Sequence, residues 1–176
     1  MNQIILGGGC FWCTEAVFSR LKGISNVTPG YAGGEGENPT YSTIHNSDDK
    51  HAEVIKIEYD PEVITIRKIL QVFFTTHDPT TLNQQGADRG AEYRSIILHT
   101  KEEERRKIEE FIKEIQREFD RPIVTEVSKA GKFWSAEKEH NKYYEKNKSN
   151  TYCTLVIDPK IKKLKEKFSK ELREDS

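Results

Sequence analysis

Three consecutive glycines, Gly7-Gly8-Gly9, stand between a short apolar run, Gln3 to Leu6, and the first cysteine of the chain, Cys10. Glycine inside a regular element costs about 0.5–1 kcal/mol relative to alanine, so three in a row end whatever precedes them. The apolar run therefore reads as a short strand. Beyond the turn, Thr14 to Lys22 has helical character, with Val17 and Leu21 on one face and Gly23 as a natural stop. The chain is predicted to go strand, tight turn, helix, with Cys10 at the helix start.

The rest of the sequence continues in the same alternation. Thr28 to Ser42, rich in Gly, Pro, Asn and Tyr, reads as a loop or a kinked strand. Ala52 to Tyr59 alternates with Ile55, Ile57 and Tyr59 on one face, which predicts a strand. Ile66, Ile69, Leu70 and Phe73 recur at helical spacing within 65–77. A polar loop over 78–90 leads to a strand from Tyr93 to His99. Thr100 with Glu103 has the form of a capping box, opening a helix to about Phe119 with Ile108, Ile112, Ile115 and Phe119 as its stripe. Pro122 breaks it, and Ile123 to Val127 alternates as a strand. A helix is expected over Ala136 to Asn147, and a loop over about 148–157. A last helix has Asp158 as cap, Pro159 at its first position and Ile161, Leu164, Phe168 and Leu172 as its apolar stripe. Interleaved strands and helices with crossover-sized spacers predict an α+β fold: a two-layer sandwich with a mixed sheet, a ferredoxin-like core and helices packed on the sheet.

Composition narrows the function classes. The chain has 176 residues, enough for one domain with a real core. Its 28 basic and 29 acidic residues nearly cancel, so it has no general electrostatic claim on nucleic acid. No apolar run approaches the roughly 18 residues of a membrane helix, and Met1 to Leu6 does not read as a signal peptide. Three cysteines are too few for a secreted disulfide scaffold. The expected setting is a reducing cytoplasm, where scarce cysteines are more often chemical than structural.

A thiolate, not a thiol, is the nucleophile, and free cysteine titrates near pH 8.5. A helix N-terminus offers unpaired N–H groups and a favourable dipole, so Cys10 is the candidate nucleophile. Phe11 and Trp12 beside it form a candidate wall for a small alkyl group, or simply begin a core helix. Cys10 and Cys13 also form a C-x-x-C pair, the form of a redox dithiol. Zinc needs four ligands, and neither the lone Cys153 nor the five histidines supply a second pair at ligand spacing, so no metal is expected. Polar clusters recur in the loops, at Asn38-Pro39-Thr40-Tyr41, His51-Ala52-Glu53, Asp78-Pro79-Thr80 and from Gln85 to Ser95.

Taken together these clusters resemble one family. Gly9-Cys10-Phe11-Trp12, Gly30-Tyr31-Ala32-Gly33-Gly34, Asn38-Pro39-Thr40-Tyr41, His51-Ala52-Glu53, His77-Asp78-Pro79-Thr80, Gln85-Gly86…Asp88…Gly90, Tyr93-Arg94-Ser95 and Ala136-Glu137…His140 follow the order of the A-type peptide methionine sulfoxide reductases, over about residues 5 to 155. The resemblance implies reduction of the S-epimer of methionine sulfoxide, free or in oxidised proteins. It casts Cys10 as nucleophile, Phe11 and Trp12 as the walls around the substrate methyl, and Glu53 as the acid that protonates the sulfoxide oxygen. Tyr41 and Tyr93 become the hydroxyls that hold that oxygen, and Asp88 a residue that positions substrate. It also implies a disulfide-forming thiol, a thioredoxin-type electron donor and no cofactor. The expected working unit is a monomer, with a catalytic domain over 1–157 and a C-terminal helix over 158–176.

The chain departs from the family pattern at Cys13, where Gly is usual, at Asn46 to Lys50, at Glu92, and in a lysine-rich helix where a Gly-rich, cysteine-bearing tail is common. Two thiols are candidates for the resolving partner of Cys10, and the resemblance favours Cys153. Cys153, after Tyr152, falls near a recycling cysteine of the family, and Cys13 lies within reach if both occupy the first helical turn. The competing reading is a thioredoxin-like disulfide oxidoreductase using Cys10 and Cys13, although no β-α-β segment precedes the motif. A third is a binding module for oxidised peptides.

Overall fold

The computed structural model describes residues 1–46 and 48–176; Ser47, in one of the segments that depart from the family pattern, lies outside them. Strand β1 (Asn2–Gly7) leads into helix α1 (Phe11–Phe18), β2 (Ile24–Ala32), the single turn α2 (Tyr41–Ile44), β3 (Ala52–Tyr59) and α3 (Ile66–Thr76). After the two-residue strands β4 (Gln84–Gln85) and β5 (Asp88–Arg89) come β6 (Ile96–His99), α4 (Glu102–Ile115), β7 (Glu126–Lys129), β8 (Trp134–Ser135), α5 (Tyr143–Lys146) and α6 (Asp158–Lys167).

The main sheet has the order β7-β6-β1-β3-β2-β8. All its neighbours are antiparallel except β6 and β7. The core unit β1-α1-β2-β3-α3-β6, with strand order β6-β1-β3-β2, is the ferredoxin-like arrangement expected. Register follows from period-2 alternation. Ile4 pairs with Ile57, and Leu6 with Ile55 and Ile97, and all five belong to the core beneath the helices. Ile5, Val54, Ile96 and Leu98 point the other way, into a smaller cluster covered by Ala130 and Phe133. Ile161, Leu164, Phe168 and Leu172 from the end of the chain join the main core, and Leu172 bridges to Leu21.

Several local expectations change. Of the two readings of the segment from Thr28, a loop or a kinked strand, the strand holds as far as Ala32, where it forms the second half of β2. Pro29 is tolerated there because β8 joins β2 only at Gly30 and Tyr31, so the missing N–H falls outside that short ladder, while the Pro29 carbonyl accepts from Ala136 N–H at 2.9 Å. The strand expected from Tyr93 begins at Ile96, because Ala91 to Tyr93 form a 3₁₀ turn. The strand expected over Ile123 to Val127 is β7, which runs later, over Glu126–Lys129. The α4 cap shifts by one residue. Helical geometry begins at Glu102, so Glu104 stands third and accepts from the N–H groups of Thr100 (3.1 Å) and Lys101 (3.3 Å), while Glu103 pairs with Lys107.

The helix expected over 136–147 is not continuous. A 3₁₀ turn at Lys138–His140 is followed by Lys142 in the left-handed region (φ 53°) and then by the one-turn α5. The expected loop around Cys153 is helical. Pro159 has no N–H to give to the carbonyl of Leu155, and the chain closes one residue wider, Asp158 N–H donating to the Cys153 carbonyl. This wide turn, Cys153–Ile157, runs directly into α6, so Asp158 lies inside the helical run and not at its cap.

Gly7 is where the fold meets the site. A Cβ there would lie 2.8 Å from the Glu53 carbonyl oxygen and from Ile96 Cγ2. Gly7→Ala should therefore lower the stability of the folded chain by about 1–3 kcal/mol, the usual cost of overpacking. Urea unfolding of the two proteins side by side checks this, and an unchanged midpoint would contradict the close approach.

Candidate active site

Cys10 is the N-cap of α1, with extended backbone (φ −63°, ψ 133°), and its carbonyl accepts the Cys13 N–H at 3.0 Å. Gly9 before it has φ +83°, a conformation that suits glycine, and its N–H is held by the Tyr93 carbonyl at 3.1 Å. The thiol is 6% exposed. Helix and turn thus deliver Cys10 into the core beside the 3₁₀ turn that carries Tyr93.

Glu53 comes from β3, opposite Tyr31 on β2, and is 1% exposed. One carboxyl oxygen accepts the Phe11 N–H at 3.2 Å, and the other is buried with no hydrogen-bond partner. Burial pushes this carboxyl up to about 8; the Phe11 N–H and the nearby Cys10 side chain pull it down, and Asp88 and Glu92 push it further up. The Cys10 thiol is itself pushed well above its usual value, by burial first and then by Glu53 and Cys13, with the Trp12 N–H pulling it back. The helix N-terminus therefore does not give the resting enzyme a free thiolate, as sequence reasoning anticipated. Desolvation and a neighbouring acid outweigh it, and the pair rests protonated and neutral near pH 7.

Aromatic rings close the site. The Phe11 ring lies 5.6 Å from Tyr31 and 6.5 Å from Tyr41. Trp12 stacks on Tyr143 with centroids 3.7 Å apart and planes 6° apart, and its indole N–H donates to His140 Nδ1 at 3.1 Å. Tyr41 lies 6.2 Å from Trp12 and 4.6 Å from His140. Burial raises the Tyr41 hydroxyl to about 12 and that of Tyr93 higher still, with Glu53, Asp88 and Cys10 adding to both. Both phenols are therefore protonated, and able to donate, at neutral pH. Asp88 accepts the Tyr152 hydroxyl at 2.7 Å.

The three thiols are free and buried. Cys13, one helical turn from Cys10, meets the Tyr152 hydroxyl at 3.7 Å. Burial raises the Cys13 thiol, and Cys153 is among the groups that act on it. Cys10 feels Cys13, Glu53 and Asp88. Cys13 is thus within electrostatic reach of both other thiols. Cys10, Cys13, Phe11, Trp12, Tyr41, Glu53, Tyr93 and Asp88 are linked by these contacts into one region, and Cys153 lies buried in the adjoining core.

The sequence model of the family described as peptide methionine sulfoxide reductase matches residues 2–172. The chain belongs to the peptide methionine sulfoxide reductase family. It is 51% identical over 168 residues to the peptide methionine sulfoxide reductase MsrA of Sulfolobus acidocaldarius, covering 96% of each chain. Among solved structures it resembles reduced Mxr1 from Saccharomyces cerevisiae, with TM-score 0.80 and 32% identity over 86% of this chain and 88% of that one. Mxr1 in complex with Trx2 is also similar, with TM-score 0.57 and 26% identity over 81% and 84% of the two chains. The chain is accordingly an oxidoreductase of that family. Among the described residues, no helix is long and apolar enough to cross a membrane.

Four residues of the reductase site escaped the sequence reading or received no role in it. Glu137 accepts from the Tyr31 hydroxyl at 2.9 Å and the Tyr41 N–H at 3.1 Å, and so ties two aromatic walls together. His140 and Tyr143 brace Trp12, and Tyr152 links Asp88 to Cys13. The run of tyrosines at 143, 144 and 152 before Cys153 was the available signal. Glu137, Glu139 and His140 bring ligand atoms within 4.8 Å of one another, but Glu137 and His140 Nδ1 are already engaged by Tyr31, Tyr41 and Trp12.

The Glu53 carboxyl has a linkage consequence. Its folded value, about 8, lies above the ordinary 4.5, so its contribution favours folding below the ordinary value and is lost as pH rises towards 8. Glu53→Gln should therefore gain stability relative to the parent chain from about pH 5 to pH 8, by on the order of 2–4 kcal/mol at the upper end. Urea midpoints across that range measure it; parallel pH profiles for the two proteins would refute the raised carboxyl.

Proposed function

We propose that this chain reduces the S-epimer of methionine sulfoxide, free and in oxidised proteins, through a sulfenic acid on Cys10. The observation that carries the reading is Glu53, a buried carboxyl with one unpartnered oxygen, held protonated near neutral pH beside the Cys10 thiol. A sulfoxide oxygen is a poor leaving group until it is protonated, and such a carboxyl is suited to the task. The hydroxyls of Tyr41 and Tyr93 donate to the same oxygen and stabilise charge developing on it. Phe11 and Trp12 receive the methyl group, and Asp88, through Tyr152, helps position the substrate.

The step balances without a cofactor. Cys10–SH and R₂S=O give Cys10–SOH and R₂S. The oxygen moves from one sulfur to the other, Glu53 delivers a proton to it, and the proton lost from the thiol returns to the carboxylate. This accounts for a thiol that rests protonated, because it is deprotonated only as Glu53 discharges onto the substrate. The Cys10 sulfenic acid then condenses with a second thiol, releasing water. Cys13 is favoured for that first disulfide by its place one helical turn from Cys10, with Cys153 also within its electrostatic reach. Exchange by Cys153 then gives Cys13–Cys153 and frees Cys10. A thioredoxin-type dithiol is the proposed reductant, in keeping with the structural neighbour in complex with Trx2. A disulfide oxidoreductase using Cys10 and Cys13 alone would need neither Glu53 nor the two tyrosines.

Dithiothreitol-driven turnover of a chiral methyl sulfoxide tests the reading. The S-epimer should be consumed, the R-epimer spared, and insulin disulfides left intact. Glu53→Gln should slow methionine release by roughly 10²–10⁴-fold, with the deficit shrinking in acid. Equal consumption of both epimers, or a normal single-turnover rate in Glu53→Gln, would reject it.

The route of the disulfide is read by peptide mapping after one equivalent of sulfoxide. The parent chain should accumulate Cys13–Cys153, Cys153→Ser should stop at Cys10–Cys13, and Cys13→Ser should retain the Cys10 sulfenic acid. A Cys10–Cys153 bond formed at the normal rate in Cys13→Ser would instead make Cys153 the direct resolving thiol.

A further inference from the structure

The wall that holds Trp12 is made of a segment unable to hold itself. Residues 136–147 contain a 3₁₀ turn, a left-handed lysine and one turn of α5, so they lack the continuous ladder of a helix. The first half is tied down elsewhere, by Ala136 N–H on the Pro29 carbonyl and by Glu137 on Tyr31 and Tyr41. The tie at Lys142 is different. Its N–H donates to the carboxylate of Glu15 at 2.7 Å. Lys142 has φ 53° and ψ 37°, a conformation that costs a non-glycine residue on the order of 1 kcal/mol and needs an outside hold.

Glu15 itself calls for an explanation. It lies on α1, three residues beyond Trp12, and is 5% exposed. Burial raises its carboxyl to about 7, against the pull of the Lys142 and Tyr143 N–H groups and the Lys142 and Lys146 ammoniums. A buried carboxylate is expensive, and an apolar side chain here would serve core packing better. Its polar bond goes to the residue before Tyr143, which stacks on Trp12, and two residues after His140, which accepts the Trp12 indole N–H. Trp12 thus engages both ends of the stretch 140–143, and Glu15, from the same helix, holds Lys142 inside it.

We propose that Glu15 is a positioning residue for the substrate pocket, its carboxylate fixing the Lys142–Tyr143 backbone so that Tyr143 and His140 hold Trp12 as a rigid wall against the sulfoxide methyl. This rests on the reading of Trp12 as a substrate wall given above. A rigid wall contributes to binding in ground and transition states alike, so its loss raises KM and leaves kcat nearly unchanged. A side chain that served only core stability would lower the melting temperature without that split.

The test uses the full chain in a Trp134→Phe background, which leaves Trp12 as the only one of the two tryptophans. Steady-state kinetics with a methyl sulfoxide and dithiothreitol are measured beside acrylamide quenching of Trp12 fluorescence. Glu15→Ala should raise KM about tenfold with kcat within about threefold, and should raise the quenching constant severalfold. Glu15→Gln retains one acceptor oxygen and should fall between Glu15→Ala and the parent, which keeps the test open if the alanine variant does not fold. Tyr143→Ala should reproduce both shifts from the other side of the contact. The proposal is overturned if folded Glu15→Gln keeps the parent KM and quenching, whatever its melting temperature. It is also overturned if Trp12→Ala leaves KM unchanged; increased quenching in Glu15→Gln would then show that the hold on Trp12 is real and that the substrate-wall reading is what failed.

Discussion

The burial of Glu53 against the first turn of α1 is the constraint on which the rest of the site depends. A carboxyl 1% exposed, with one oxygen on the Phe11 N–H and the other unpartnered, is stable only if it stays protonated or finds a partner. Every nearby element preserves that condition. The strand pair β1–β3 brings Gly7 to the Glu53 carbonyl, the glycine turn sends Cys10 past its side chain, and Phe11 and Tyr31 keep water away. Burial thus costs stability here and holds the Glu53 carboxyl well above the ordinary carboxylate range.

The ferredoxin-like sheet explains why those pieces meet. Its central strand β1 has neighbours on both sides, so the turn at its C-terminal end opens over β3 and beside the segment before β6. Glu53 arrives from the former and Tyr93 from the latter. Neither depends on a mobile loop for its position, since Gly9 N–H on the Tyr93 carbonyl ties the catalytic turn to the 3₁₀ turn. His77 adds a rigid floor. It is buried and lowered to about 4 by desolvation, hence neutral, and its ring nitrogens lie against the Phe73 carbonyl and the Ser95 hydroxyl. A Cβ at Gly8 would meet the same ring at 2.8 Å.

The aromatic side of the site is built differently, from an irregular segment held by carboxylates. Glu137 and Glu15 accept from backbone and hydroxyl donors, while rings at 140 and 143 lean on Trp12. Further along, the wide turn closed on the Cys153 carbonyl keeps that thiol inside, and Tyr152 spans Asp88 and Cys13. All three thiols of the chain are thus buried in the core.

The amino-acid sequence by itself determined the fold class, the placing of Cys10 at a strand–turn–helix junction, and the family. Those follow from local signals: period-2 and period-3.6 apolar patterns, a glycine run, and short motifs in order. Glu53, Tyr41, Tyr93 and Asp88 were legible only through their motifs, because nothing local marks a carboxylate as buried. Tertiary structure alone decided the rest. The raised Cys10 thiol arises from desolvation and a neighbour 43 positions away in sequence. Where the helix expected over 136–147 is broken, the Lys142 N–H goes to Glu15, far away in sequence, and not to a helical carbonyl. The shifted cap of α4 and the helical setting of Cys153 likewise depend on which partner each N–H finds. Long-range burial and hydrogen-bond competition have no period to read, and so they appear only when the chain is folded.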